Sequence, residues 1–177
     1  LVFTREQDLE QPLARFLKHL RTASLPRAPG CAVFLSSNLQ GVPAALLANL
    51  QYNGVVHEQV LLTTVQIIDM PHIGEDQRVT VTPLEQGFYR VITRFGFMEE
   101  PDVPRALAQI ATPGLQFDPE RVPYFVNRTR VIPTDLPGMA LWRERLYKYM
   151  RHNAASAADF FRLPPARVFE IRTSVEM

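Results

Sequence analysis

Apolar residues recur along this chain at two different spacings, and the changes of spacing mark its elements. Leu9, Leu13, Phe16, Leu17 and Leu20 fall three or four residues apart, which puts them on one face of a helix. Thr4-Arg5-Glu6-Gln7 ahead of them fits a capping box, and Pro12 either kinks this helix or marks its true first turn. Residues 22–30 then read as a linker, because Pro26, Pro29 and Gly30 sit among small residues. Cys31 to Leu35 and Val60 to Ile68 are apolar with little alternation, the pattern of strands covered on both faces. Between them Pro43 stands at a helix start, Leu46, Leu47 and Leu50 supply an apolar face, and Gly54 provides a C-terminal cap. That order predicts a right-handed parallel crossover.

Beyond residue 78 the period drops to two. Val79 and Val81 alternate with Thr80 and Thr82, and Tyr89, Val91, Thr93 and Phe95 alternate with Arg90, Ile92 and Arg94; Glu85-Gln86-Gly87 turns the chain between them, giving an antiparallel hairpin. Asp102 offers an N-cap to a short amphipathic helix through Val103, Leu107, Ile110 and Ala111. Tyr124 to Val126 and Thr129 to Ile132 are short strand candidates. Met139, Trp142, Leu146 and Tyr149 or Met150 return to helical spacing, with Glu144 four residues before Lys148 and cations at the helix end. Ser156 and Asp159 start a fresh helix that Pro164-Pro165 ends, and Phe169, Ile171, Thr173 and Val175 alternate with polar residues as a strand. The fold class is therefore α/β: a mixed sheet with a parallel β-α-β core, an added antiparallel hairpin and C-terminal strand, and helices packed around it, the parallel part coming early and antiparallel strands later.

At 177 residues and 46% hydrophobic, the chain has the means to bury one good core. Residues 28–56 carry no charge, yet Ser36, Ser37, Asn38, Gln40, Gly41, Pro43, Asn49, Gln51 and Asn53 interrupt them, whereas a membrane-spanning helix needs about 20 predominantly apolar residues. Charged residues Arg5, Glu6, Asp8 and Glu10 come before any apolar run, so the chain does not open on a signal peptide. A single cysteine, Cys31, rules out an internal disulfide and a multi-cysteine metal site, and its place at the head of an apolar strand marks an inert buried thiol. Charge is uneven although the net is +1: residues 54–120 carry ten acids against four bases, and residues 121–152 carry seven bases against two acids. The basic stretch suits anionic lipid headgroups or the acidic middle of a second copy, as in a homodimer. Nucleic acid is not an expected partner, since no binding motif accompanies a pI near 8.1.

Catalytic and metal chemistry find little support. His57-Glu58 lacks the second histidine of a zincin helix, Leu61 standing in its place, and His19, His72 and His152 share no ligand spacing. Ser36 and Ser37 follow a buried strand without a Gly-x-Ser-x-Gly elbow. No catalytic residue, metal or cofactor is therefore assigned. The same loop, Ser36-Ser37-Asn38-Leu39-Gln40-Gly41, does lie between a buried strand and a helix start, where open α/β sheets bind ligands and free amides attract anions. Ser36, Ser37 and Asn38, with Arg94 as the anion partner, are the candidate ligand-binding residues for a nucleotide-like molecule; the alternative is a polar turn and a solvent-facing arginine.

Several blocks, in order along nearly the whole chain, carry a resemblance: Ala32-Val33-Phe34-Leu35, Gly41-Val42-Pro43-Ala44-Ala45-Leu46, His57-Glu58, Gly87 to Val91, Arg94 to Glu99, Gly138 to Leu146, Asn153 to Phe161 and Leu163 to Glu170. Together they resemble the C-terminus of the Kup/HAK/KT family of potassium uptake transporters. The resemblance implies a cytosolic tail of a proton-coupled potassium symporter of the bacterial inner membrane, with the membrane-embedded part absent. Under it, residues 1–21 are an amphipathic helix leading from the membrane part, 22–30 a linker and 31–177 the cytosolic domain. The implied partners are the transporter's own transmembrane part and the nearby membrane surface, and the implied role is assembly, folding or regulation rather than enzymatic turnover. The family's potassium and proton sites lie in membrane helices, so none transfers to positions here. A ligand-sensing module is the alternative, and an independent small enzyme is disfavoured.

Overall fold

The computed structural model describes residues 13–129 and 157–173. The capping box at residues 4–7, Leu9, the helix through Trp142, the strand candidate from residue 130 onward and Val175 lie outside them. Apolar spacing places helix α1 at Leu13–Ala23, with Leu13, Phe16, Leu17 and Leu20 all buried. Strand β1 runs over Arg27–Leu35, helix α2 over Ala44–Asn53 and strand β2 over Val56–Ile68. Gly54 ends α2 at φ 63°, its amide returning to Leu50 O at 3.0 Å, because only an uncrowded residue takes that left-handed turn cheaply. Residues 22–30 end α1 and begin β1. Pro29 and Gly30 fall where the β1–β2 register shifts between Ala28 and Cys31, and β5 (Tyr124–Thr129) joins β1 only at Val33–Leu35, so an absent proline amide costs no inner ladder bond there.

The remaining elements are α3 (Glu75–Arg78), β3 (Val79–Pro83), β4 (Phe88–Gly96), α4 (Val103–Leu107), α5 (Ala157–Phe160) and β6 (Val168–Thr173). They complete a six-stranded sheet in the order β3-β4-β2-β1-β5-β6. The sheet is mixed, as expected, but its antiparallel part is confined to the β3–β4 hairpin; β5 and β6 run parallel to β1. Connections long enough to cross a sheet face precede both late strands, which is what parallel pairing requires. Asp102 caps α4 by accepting the Arg105 amide at 2.9 Å. That helix stops at Leu107, short of the expected Ile110 and Ala111, and its last residues continue as turns.

Helices cover both faces. On one, α1 and α2 bury Phe34, Leu46, Val60, Leu62 and Phe88; on the other, α4 and α5 cover Val33, Leu61, Val91, Tyr124 and Leu163. This three-layer arrangement explains the unbroken apolar runs of β1 and β2. Gln86 fastens α1 to the sheet, donating from Nε2 to Leu17 O at 2.8 Å, and Arg27 holds Gln86 in turn through its O and Oε1 at 3.1 and 3.3 Å.

His57, on β2, has its Nδ1 buried without a protein partner, and burial holds the imidazole below its usual pKa of 6.5. A group harder to protonate when folded takes up protons on unfolding, so it favours the fold above pH 6.5 and this contribution is lost as pH falls. Urea titrations of wild type and His57→Phe between pH 7.5 and 5.5 should show a shallower fall for the variant; parallel slopes would remove His57 from the pH response.

Candidate functional site

The chain leaves β1 toward β2 on one side, and β5 leads to β6 on the other, so residues 36–41 stand where the strand order reverses. Such a switch point is the usual ligand crevice of an open α/β sheet. Ser36 extends the ladder by donating its amide to Thr63 O at 2.9 Å. Its Oγ accepts the Asn38 amide at 3.1 Å, and Asn38 Oδ1 accepts the amides of Gln40 and Gly41 at 2.9 and 3.0 Å. Asparagine and serine are suited to this because their short side chains imitate a backbone turn. Much of the loop's polarity is thus spent on shaping the entry to α2, and Ser37 is exposed beside it.

Behind the loop, Ser36, Asn38, Gly41, Leu62, Thr64 and Arg90 line a cavity of about 10 Å³, room for no more than one water. Ser36 and Asn38 come together there. Arg94 does not join them: it lies on β4 in register with Gln66, and its guanidinium donates outward to Thr80 Oγ1 at 2.7 Å and Gln77 O at 3.3 Å. The cation at the loop is Arg90, whose Nε is buried without a protein partner. Alternation assigned Arg90 and Arg94 alike to the wet side of β4; only the register, which sets Arg90 level with Leu62, distinguishes them.

A second polar cluster was not legible in the sequence. Arg78, 7% exposed, donates to Glu99 Oε1 at 2.8 Å, Ile73 O at 3.1 Å and Arg94 O at 3.3 Å, and lies 5.1 Å from the Phe95 ring centroid. Arg78's hydrogen bond holds the Glu99 carboxyl below its usual pKa, helped by the Gly96 amide. Glu75, bonded to Gln109 and Arg78, completes the group. The network is a structural clamp on the loops after β2 and β4. Burial pushes the Cys31 thiol up to about 12, which removes its nucleophilic form. Among the described residues no three His, Cys, Asp or Glu side chains gather as a metal site. None of their helices is long and apolar enough to cross a membrane.

Residues 29–177 match the family model described as the K+ potassium transporter C-terminal domain. Over 177 residues, all of this chain and 27% of the relative, it is 43% identical to the probable potassium transport system protein Kup 2 of Rhizorhabdus wittichii. It is 48% identical over 151 residues to the probable Kup protein of Myxococcus xanthus, covering 85% of this chain and 23% of that one. With the probable Kup protein of Pseudomonas savastanoi pv. phaseolicola the identity is 48% over 166 residues, 94% of this chain and 26% of the relative. No solved structure matches. The α/β unit is thus a transporter's C-terminal domain and not a member of an enzyme family. The chain belongs to the Kup potassium transporter family and spans about a quarter of the length of these relatives.

Proposed function

We propose that this chain is the cytosolic C-terminal domain of a proton-coupled potassium uptake transporter of the bacterial inner membrane, and that its task is to assemble or regulate the transporter. The observation that carries this reading is the family match over residues 29–177 in a chain one quarter as long as its relatives. The transmembrane part of the same protein is the primary partner, with the membrane surface nearby and a second copy as a further partner through the acidic middle and the basic stretch. Deleting this chain from the full-length transporter, in cells lacking other potassium uptake, should lower uptake or abolish its regulation. Unchanged abundance, rate and response to external potassium would overturn the reading.

A ligand-sensing role at Ser36, Ser37 and Asn38 is the second reading, favoured by the switch point and the unpartnered Nε of Arg90. Arg90 takes the place proposed for Arg94, and a ligand would have to sit over the exposed Ser37 or open the loop. Nucleotide titration of the full-length transporter, with Arg90→Gln as comparison, tests it: affinity indifferent to that change would place any binding elsewhere.

A further inference from the structure

Five large apolar side chains are prominently exposed among the described residues, and three of them, Met70, Phe97 and Met98, sit on two touching loops. The loops are joined backbone to backbone: the Phe97 amide donates to Met70 O at 2.8 Å and the Met98 amide to Pro71 O at 3.2 Å. A Cβ on Gly96 would meet Pro71 O at 2.2 Å, so glycine is what lets them approach. Arg78 and Glu99 lock the same pair from beneath. A buried arginine therefore fixes an apolar patch in the open, the reverse of a loop that exposes apolar groups by fraying. Exposed methionine and phenylalanine on a rigid base suit a protein partner.

The surroundings narrow the partner. Asp69, Glu75, Asp76, Glu99, Glu100 and Asp102 lie on these two loops and their flanks. Of the nearby cations, Arg78 is engaged with Glu75 and Glu99, Arg162 with Glu100, and exposed Arg105 acts on Glu75, so the six carboxylates outnumber these three. The rim is net acidic, which repels anionic lipid and favours a basic surface. The patch lies at the carboxyl edge of the parallel strands, where β2 ends at Ile68 and β4 at Gly96. The first described residue is at that edge too, since the Leu13 amide donates to Gln40 O just beyond β1. Roughly three quarters of the relatives' length lies outside this C-terminal unit, and Leu13, the described residue nearest to anything that precedes it, stands on the side the patch faces. Cytoplasmic loops of membrane proteins carry an excess of Lys and Arg.

We infer that Met70, Phe97 and Met98 form the surface by which this domain docks on a Lys/Arg-rich cytoplasmic segment of the membrane-embedded part of the same transporter. This rests on the reading of the chain as that transporter's cytosolic tail. The test places a benzophenone amino acid at Phe97 or Met98 of the full-length protein in native membranes, with Tyr52, exposed at the opposite edge near the end of α2, as control. Crosslinks to a basic upstream segment should exceed those from Tyr52 by about fivefold or more, and a Phe97→Asp, Met98→Asp pair should lower uptake at unchanged abundance by a similar factor, the size expected when a central apolar contact is lost. Tyr52→Asp should leave uptake unchanged. Crosslinks to lipid, to a second copy of this domain, to an unrelated protein, or at the Tyr52 level would overturn the docking surface. If deleting the whole domain lowers uptake while the paired aspartates do not, only the docking surface fails; if deletion is harmless, the underlying reading fails.

Discussion

Replacing Arg78 by alanine is expected to destabilise this chain by about 3 kcal/mol, the lower end of the range for removing one partner of a buried ion pair. For a domain of this size that is a fall of about 6–12 °C in melting temperature. The arginine is 7% exposed and its loss orphans more than one group: Glu99, with its side chain 17% exposed, and the carbonyls of Ile73 and Arg94. Glu75 is different, because its side chain is 59% exposed and a solvated pair contributes about 0–1 kcal/mol. Glu75→Ala should therefore be nearly silent in calorimetry while Arg78→Ala is not. Equal effects would show that the clamp resides elsewhere. The pair also sets an acid response. Glu99's folded pKa lies below its usual value of 4.5, chiefly through Arg78's hydrogen bond, so its contribution is complete above pH 4.5 and lost as pH falls through the folded value. Glu99→Gln should flatten the stability profile below pH 4.5.

How much of this was legible beforehand divides by the range of the forces involved. The faces of α1 and α2, the Gly54 cap, the Asp102 cap and the β3–β4 hairpin depend on residues within a few positions of one another, and periodicity and capping rules read them directly. The direction of β5 and β6 depends on where long connections travel, which no local pattern encodes. The candidate site shows the same division. Ser36 and Asn38 were recognisable as a strand-to-helix loop, whereas their hydrogen bonds to each other and to Gln40 and Gly41 emerge only from the folded turn. Arg90 and Arg94 occupy equivalent positions in the alternation, and the difference between them is the neighbour across the sheet. Arg78 was invisible for a related reason. Its partners Ile73, Arg94 and Glu99 are brought to it by three separate segments, so nothing in its own neighbourhood marks it as buried.

Truncating Phe16 to alanine is expected to cost about 3–5 kcal/mol and to lower the melting temperature by about 6–20 °C. Its ring is 2% exposed and meets Phe88 edge to face, the centroids 6.4 Å apart, while Leu13, Leu17 and Leu20 complete the buried stripe. A cavity of about 290 Å³ between α1 and α2, lined in part by Phe16, Leu20, Leu25 and Leu50, lets the helix settle after truncation and places the effect toward the lower bound. The larger consequence concerns the transporter. The amphipathic stripe of α1 is buried on the domain's own sheet, and its backbone is tied in twice, by Leu13 to Gln40 and by Gln86 to Leu17. Displacement applied at Leu13 is expected to pass through α1 into the strands it packs on, β1, β2 and β4. Phe16→Ala should therefore weaken both the fold and any effect of this domain on uptake, whereas Arg15→Ala, on the exposed face of α1, should change neither. A Phe16→Ala chain that melts with the wild type would show that α1 is only loosely held, and mechanical coupling through it would then be excluded.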